Sequence, residues 1–483
     1  MISKLFSKFN NLSDGAKSGI VFTLATLFTK GLSIITVPIF TRIMSTDQIG
    51  IVNLYNSWFS MISVIATLSL TSGGYQLALK EFGNDKDGYE SSVLTITTLM
   101  GLLILGVFCA APTFWSNILG LPISLCALIC IGFVVSPAQD FWMSRQRFDY
   151  KYKLSGAISI ATAVIASALS IYVVLSMRSN GAEDTATGRL WANYIVVYGA
   201  ALCFSIYIFL KGRKFFDKKY WKFSLSISLP LIGHAIAKQI LDVSDRQMIS
   251  RMVNNSAVGI YSTLYTVSSI SLIAWNAINA AFVPYLFKNI DNENKHDDIR
   301  KISAVLLIAY ALIAILFTYL APEIVRILAP DEYYEAIYIM PPIAMGVSLT
   351  AVSNMYSNVL VYYKKTKVIM IASITAAVSN VILNYIFIRM YGYQAAAYTT
   401  LTSYIVLTLI EAIVATTTYK EVTGNKKMIY LNSSILGVCV IELFVIMLAV
   451  PSYRLSVIRY ILCVVILVAS VLLSKKYLVK IKS

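Results

Sequence analysis

Long apolar stretches alternate with short polar breaks along this chain, and fourteen of the stretches are candidates to cross a bilayer. A spanning helix takes about 20 mostly apolar residues. The stretches lie at 17–42, 49–74, 91–112, 117–138, 153–176, 188–210, 224–250, 257–285, 301–321, 334–362, 367–389, 393–418, 429–449 and 456–474. Pro112 and Pro451 mark the two narrowest splits, because proline lacks the N–H that a helix interior needs. No polar stretch is long enough for a soluble domain. The pattern predicts an all-α polytopic membrane protein. Ahead of the first stretch, Ile2, Leu5, Phe6, Phe9 and Leu12 recur at helical spacing, with Lys4 and Lys8 on another face. That predicts a short interfacial helix and not a signal peptide.

Composition agrees. Hydrophobic residues make up 58% of the chain and charged residues 13%, about half the share of a soluble protein. The net charge of +16 is dispersed in short runs between apolar stretches, so it does not read as a nucleic-acid surface. It reads as topology. With the N-terminus placed in the cytoplasm, 29 of the 40 Lys and Arg residues fall in cytoplasmic segments, eight fall outside, and three lie inside spans. One helix more or fewer would reverse every downstream loop and spoil that split. Both termini are therefore expected in the cytoplasm.

The chain also repeats. Arg42 to Tyr55 (RIMSTDQIGIVNLY) matches Arg251 to Tyr265 (RMVNNSAVGIYSTLY) at an offset of 209 residues. Lys151 and Lys153 match Lys365 and Lys367 at an offset of 214. These matches predict two six-helix lobes, 1–215 and 216–420, followed by two more helices at 421–483. An even number of spans per lobe makes the repeat parallel, with a substrate site between the halves near the midplane, as is common in transporters.

Charge inside a span marks function, because an isolated one costs about 2.5–3.5 kcal/mol at the bilayer centre. Lys30 lies in the middle of the first stretch and Lys238 in the middle of the seventh, next to Gln239, the repeat counterpart of Lys30. Two lysines at like depth predict an anion site. His234, Lys238, Asp242 and Asp245 form one stripe of the seventh helix at spacings of four, four and three. Arg246 follows Asp242 by four residues, the spacing of a same-face pair, and stands about 12 Å from Lys238, within reach of the outer interface. Mutual neutralisation for packing is the competing reading of Lys238, Asp242 and Arg246. Asp242 and Asp245 are candidates to relay a proton or sodium ion. The six cysteines lie in apolar stretches, and with two histidines in the chain a His-rich metal site is excluded. None of the H-E-x-x-H, G-x-S-x-G or phosphate-loop motifs occurs, so no enzyme is indicated.

Several segments resemble the polysaccharide transporter branch of the multidrug/oligosaccharidyl-lipid/polysaccharide (MOP) flippase superfamily, and in particular its Wzx-type O-antigen and repeat-unit flippases. They are PIFTRIMSTDQIG at Pro38–Gly50, the LPL, DVSDRQMISR and VGIY pieces between Leu229 and Tyr261, YKKTK at Tyr363–Lys367, and the stretch Asn380–Tyr404. In the last, Asn380, Asn384, Gly392 and the pair Ala396–Ala397 sit where the family has them, while Gln394 replaces a frequent Gly. The resemblance covers about residues 15–420. It implies an undecaprenyl-pyrophosphate-linked oligosaccharide carried across the bacterial cytoplasmic membrane by alternating access, driven by an ion gradient or the membrane potential. Lys30, Lys238, His234 and Arg246 would line the cavity. A polysaccharide polymerase and glycosyltransferases would be neighbours in the pathway, and a monomer would suffice because the two halves supply their own interface. A multidrug/cation antiporter, a lipid II flippase and a membrane polymerase are the rival readings.

Overall fold

The computed structural model describes residues 14–71, 74–424, 428–430 and 432–466. Among these every regular element is helical. In the first half lie α1 (Asp14–Ile43), α2 (Thr46–Ala66), α3 (Gly74–Glu81), α4 (Lys86–Ala110), α5 (Pro112–Leu119), α6 (Ile123–Phe148), α7 (Tyr152–Ser179), α8 (Thr185–Gly212) and α9 (Lys218–Met252). The second half holds α10 (Asn255–Ser268), α11 (Ser271–Asn289), α12 (His296–Tyr319), α13 (Ala321–Leu328), α14 (Met340–Tyr362), α15 (Thr366–Tyr391), α16 (Ala395–Thr423), α17 (Asn432–Ser452) and α18 (Ser456–Ile466).

Eleven helices among the described residues are long and apolar enough to cross a membrane on their own. The seventh expected span is a pair of segments bent by 46° at the break holding Pro230, and the eighth is the pair α10–α11, bent by 42°. The fourteenth begins as α18, and its remainder lies outside the described residues, as does the interfacial helix expected before residue 14. Boundaries differ from expectation where short helices intervene. The second span stops at Ala66, before α3, and the fourth begins at Ile123 after α5 and a left-handed Gly120.

The chain divides into two compact units, Met1–Gln239 and Ile240–Ser483, with the boundary inside α9. In the first, α6 packs between α4 and α8, and α7 packs between α8 and α1. In the second, α14 is the spine. It packs against α10, α12, α16 and α17, and 89% of the apolar window that ends in it is buried, against 22% for α17. A helix buried on all sides can carry apolar residues all round, as MPPIAMGVSLTAV does at its start.

The sequence repeat has a conformational counterpart in each unit. Ser45 caps α2 by accepting from Gln48 N at 3.3 Å, and Asn254 caps α10 by accepting from Ala257 N at 2.8 Å. Each follows its matching arginine by three residues. Further on, Tyr150 (φ 55°) and Lys364 (φ 60°) both take the left-handed conformation, and they are again 214 residues apart. The residue after each donates five back, Lys151 N to Gln146 O at 2.9 Å and Lys365 N to Leu360 O at 2.8 Å, which is the helix-ending turn that normally favours Gly. A left-handed residue with a side chain costs about 1–2 kcal/mol, and Gly costs about 0.5–1 kcal/mol in chain entropy. Tyr150→Gly and Lys364→Gly are therefore each expected to stabilise the protein slightly, while Lys151→Gly, at φ −88°, is expected to destabilise it. Thermal unfolding of the three variants in detergent checks the signs.

Candidate functional site

The charged part of α9 is built into the second unit by tyrosines from two other helices. Asp245 is buried (1% exposed), accepts from Tyr261 Oη at 2.6 Å, and pairs with Arg246 Nη1 at 2.9 Å. The Arg246 guanidinium lies 4.6 Å over the ring of Tyr265 and donates to the backbone oxygen of Asp242 at 2.6 Å. Asp242 is half-buried and accepts from Tyr404 Oη of α16 at 2.7 Å. Two features differ from the spacing argument. Arg246 does not extend to an outer interface: it is 9% exposed and folded into the lobe. Its carboxylate partner is the adjacent Asp245, and what it takes from Asp242 is the main-chain oxygen. A desolvated guanidinium with five donors is best satisfied by a carboxylate, a carbonyl oxygen and an aromatic face together, and this pocket supplies all three.

A second polar layer joins the same helix to α15 and α16. Ser244 Oγ donates to Asn380 Oδ1 at 3.3 Å, Asn384 Nδ2 to the same oxygen at 3.0 Å, and Asn380 Nδ2 to Thr400 Oγ1 at 3.2 Å. Thr399 Oγ1 donates to Asn384 Oδ1. Asn380 and Asn384 are fully buried. Gly392 follows α15 at φ 76°, ψ −172°, a conformation open essentially to Gly alone, and turns the chain back so that α16 can supply these threonines.

The two lysines lie elsewhere. Lys30 on α1 and Lys238 on α9 are exposed, and neither has an ion-pair partner within 4 Å among the described residues; His234 is half-buried. Spacing alone missed Asp140. The fourth expected stretch ends at 138 and leaves Asp140 in a loop, but α6 runs on to Phe148 and places it about 12 Å inside the helix end. Asp140 is exposed, on the same stripe as Arg147, whose guanidinium lies 5.3 Å over the Phe22 ring of α1. Lys30 and Asp140 each lie about two turns along their helix from that contact.

At the Arg145 end of α6 a structural network closes the first unit. Arg145 meets Asp149 at 2.8 Å, Asp87 at 3.2 Å and Glu90 at 3.5 Å, and Tyr75 Oη donates to Glu90 at 2.9 Å. Burial alone would raise the Asp149 carboxyl, but hydrogen bonds from Arg145 and Lys86 outweigh it and hold the group below its usual range. Its contribution to stability is thus present above the ordinary Asp value of about 4 and is lost as the pH falls through the lower folded value.

A family model described as polysaccharide biosynthesis protein matches residues 16–290, more than half of the chain. The chain belongs to this family. A second model, described as MatE, matches residues 230–386. The structure is similar to that of the lipid II flippase MurJ in an inward closed conformation, with a TM-score of 0.69 and 16% identity, covering 95% of this chain and 100% of that one. It is also similar to an inward-facing multidrug resistance MATE family transporter of the MOP superfamily, with a TM-score of 0.62 and 13% identity over 83% of this chain and 96% of that one. A MOP superfamily transporter from Pyrococcus furiosus gives 0.57 and 13% over 84% and 96%. The fold is therefore that of the MOP superfamily. No curated protein matches the chain.

Proposed function

We propose that this chain is a flippase that moves an undecaprenyl-pyrophosphate-linked oligosaccharide repeat unit from the cytoplasmic to the outer leaflet of the bacterial cytoplasmic membrane, for O-antigen, capsule or exopolysaccharide assembly. The family match over residues 16–290 carries the reading. Lys30 and Lys238, with His234 beside the second, are proposed to hold the pyrophosphate, since a charge exposed within a span faces a watery cavity by default. Arg246 is proposed to act on the cargo through the fixed field of its lobe. A proton or sodium ion is the proposed drive. Asp242, met by the phenol of Tyr404, is a better carrier than Asp245, which Arg246 neutralises. Both termini are proposed to be cytoplasmic, with the polymerase and glycosyltransferases of the pathway as partners and a monomer as the working unit.

The test is complementation of a flippase-null strain. Restored surface polysaccharide, with the lipid-linked precursor no longer accumulating, is expected; drug export with no effect on polysaccharide would overturn the reading. That second outcome has its own support. The MatE match and the carboxylate of Asp140 in the first unit both favour an antiporter of cationic compounds.

A further inference from the structure

Glu442 stands outside the site described above. It lies in the middle of α17, is 2% exposed, and accepts one hydrogen bond, from Ser348 Oγ of α14 at 2.5 Å. Ser348 is itself buried. α12 and α14 pack most closely against α17, and α16 reaches its start through Thr416. From α12 comes the phenol of Tyr310, which shares a hydrogen bond with Ser271 at 3.3 Å; from α14 comes Ser348; and Cys439 lies one turn back on α17 itself. No cation is within ion-pair distance of Glu442 among the described residues. A bare carboxylate enclosed this way would leave a full charge uncompensated in the lobe interior, whereas a carboxylic acid with a serine partner is well accommodated.

The position of Glu442 gives that proton a mechanical consequence. Only 22% of the apolar window of α17 is buried, and polar clamps fasten it at three depths. Asn432 bonds Tyr356 and Thr416 at 2.9 Å each near its start, Glu442 bonds Ser348 in the middle, and the backbone oxygen of Val445 accepts from Tyr319 at 3.0 Å beyond it. The middle clamp is the one whose strength depends on a proton. Beside it runs an apolar groove of about 490 Å³, walled by Leu349 and Val352 of α14, Leu409 and Ala412 of α16, and Val440 and Leu443 of α17. The last two flank Glu442, so the seat of this helix sets the width of the groove.

We propose that Glu442 is a proton-binding site of the second unit: the carboxyl carries its proton while α17 is seated on Ser348, and gives it up to water when α17 moves off α14. Seating therefore holds at low pH and loosens as the pH rises. Only the use of this proton to drive transport rests on the flippase reading; the site itself does not.

Two measurements on the full chain in lipid nanodiscs test it, neither of which needs transport. The first is infrared difference spectroscopy of carboxyl carbonyl stretches at neutral pH. A protonated-carboxyl component that disappears in Glu442→Gln is expected in the wild type. Glu411, equally buried and accepting from Ser353 Oγ at 2.5 Å, is expected to add a component of its own, and Glu411→Gln should leave the Glu442 component in place. The second is a spin-label distance between Val378 on α15 and Ile441 on α17, both exposed, in a background with the cysteines replaced. The distance is expected to lengthen with rising pH in the wild type and to stay constant in Glu442→Gln, which keeps the neutral hydrogen bond. A protonated-carboxyl spectrum unchanged by Glu442→Gln would overturn the proton site. A band that belongs to Glu442 beside a distance indifferent to pH would overturn the coupling to α17. Failure of the wild-type chain to complement a flippase-null strain, with both readouts as expected, would count against the cargo assignment instead.

Discussion

Asp245→Ala is expected to destabilise the protein by about 3–5 kcal/mol, because it removes the carboxylate that pairs with the buried Arg246 guanidinium at 2.9 Å. The acceptors left to it would be the Asp242 main-chain oxygen at 2.6 Å and the face of Tyr265. Tyr261 Oη, which donates to Asp245 at 2.6 Å, would also lose its acceptor. Arg246→Ala is milder, since the phenol still donates to the remaining carboxylate, and the double variant is expected to recover part of the loss. Asp242→Asn keeps an acceptor for Tyr404 and should cost about 1 kcal/mol. Thermal unfolding of the four variants gives the order directly. If Asp245→Ala melts no earlier than Asp242→Asn, the buried pair is not what ties α9 to α10.

How much of this was legible in the sequence follows from how far apart the interacting residues lie. Span existence was legible, because hydropathy is a local average over about 20 residues, and the charge count checked it. The helix-ending turns at Tyr150 and Lys364 left a trace as matching lysine pairs, though the left-handed φ beside them is written in no residue type. The partners of α9 were hidden. Asp245 and Tyr261 are sixteen residues apart and Asp242 and Tyr404 are 162 apart, so spacing on one helix could only propose Arg246 for Asp242. Asn380 and Asn384 were visible as a family pattern, and their mutual hydrogen bond follows from a four-residue spacing, but their tie to Ser244 does not. Asp140 was missed through a boundary error of ten residues. Glu442 was missed for another reason: one acid leaves the thirteenth stretch apolar on average, and only the serine opposite shows it to be enclosed.

Lys30→Ala and Lys238→Ala are the largest expected losses of function, and their exposure makes them clean tests. Neither lysine fills a cavity or closes an ion pair among the described residues, so truncation leaves no hole and no stranded partner. Surface substitutions of that kind change stability by about 0.5 kcal/mol or less. Each lysine that holds a phosphate oxygen contributes about 1.5–3 kcal/mol, so each single variant should lose about tenfold or more in transport and the double variant nearly all of it. Arginine should retain much of the activity at either position if charge alone matters, and less if the compact ammonium is what fits. Glutamate should abolish it by repelling the anion. The measurement is surface polysaccharide in a flippase-null strain at matched membrane expression, with accumulated lipid-linked precursor as the second readout. Because both variants should melt like the wild type, wild-type polysaccharide from the double alanine variant would show that these lysines do not hold the cargo, and would shift the search to the Asp140 face of the first unit.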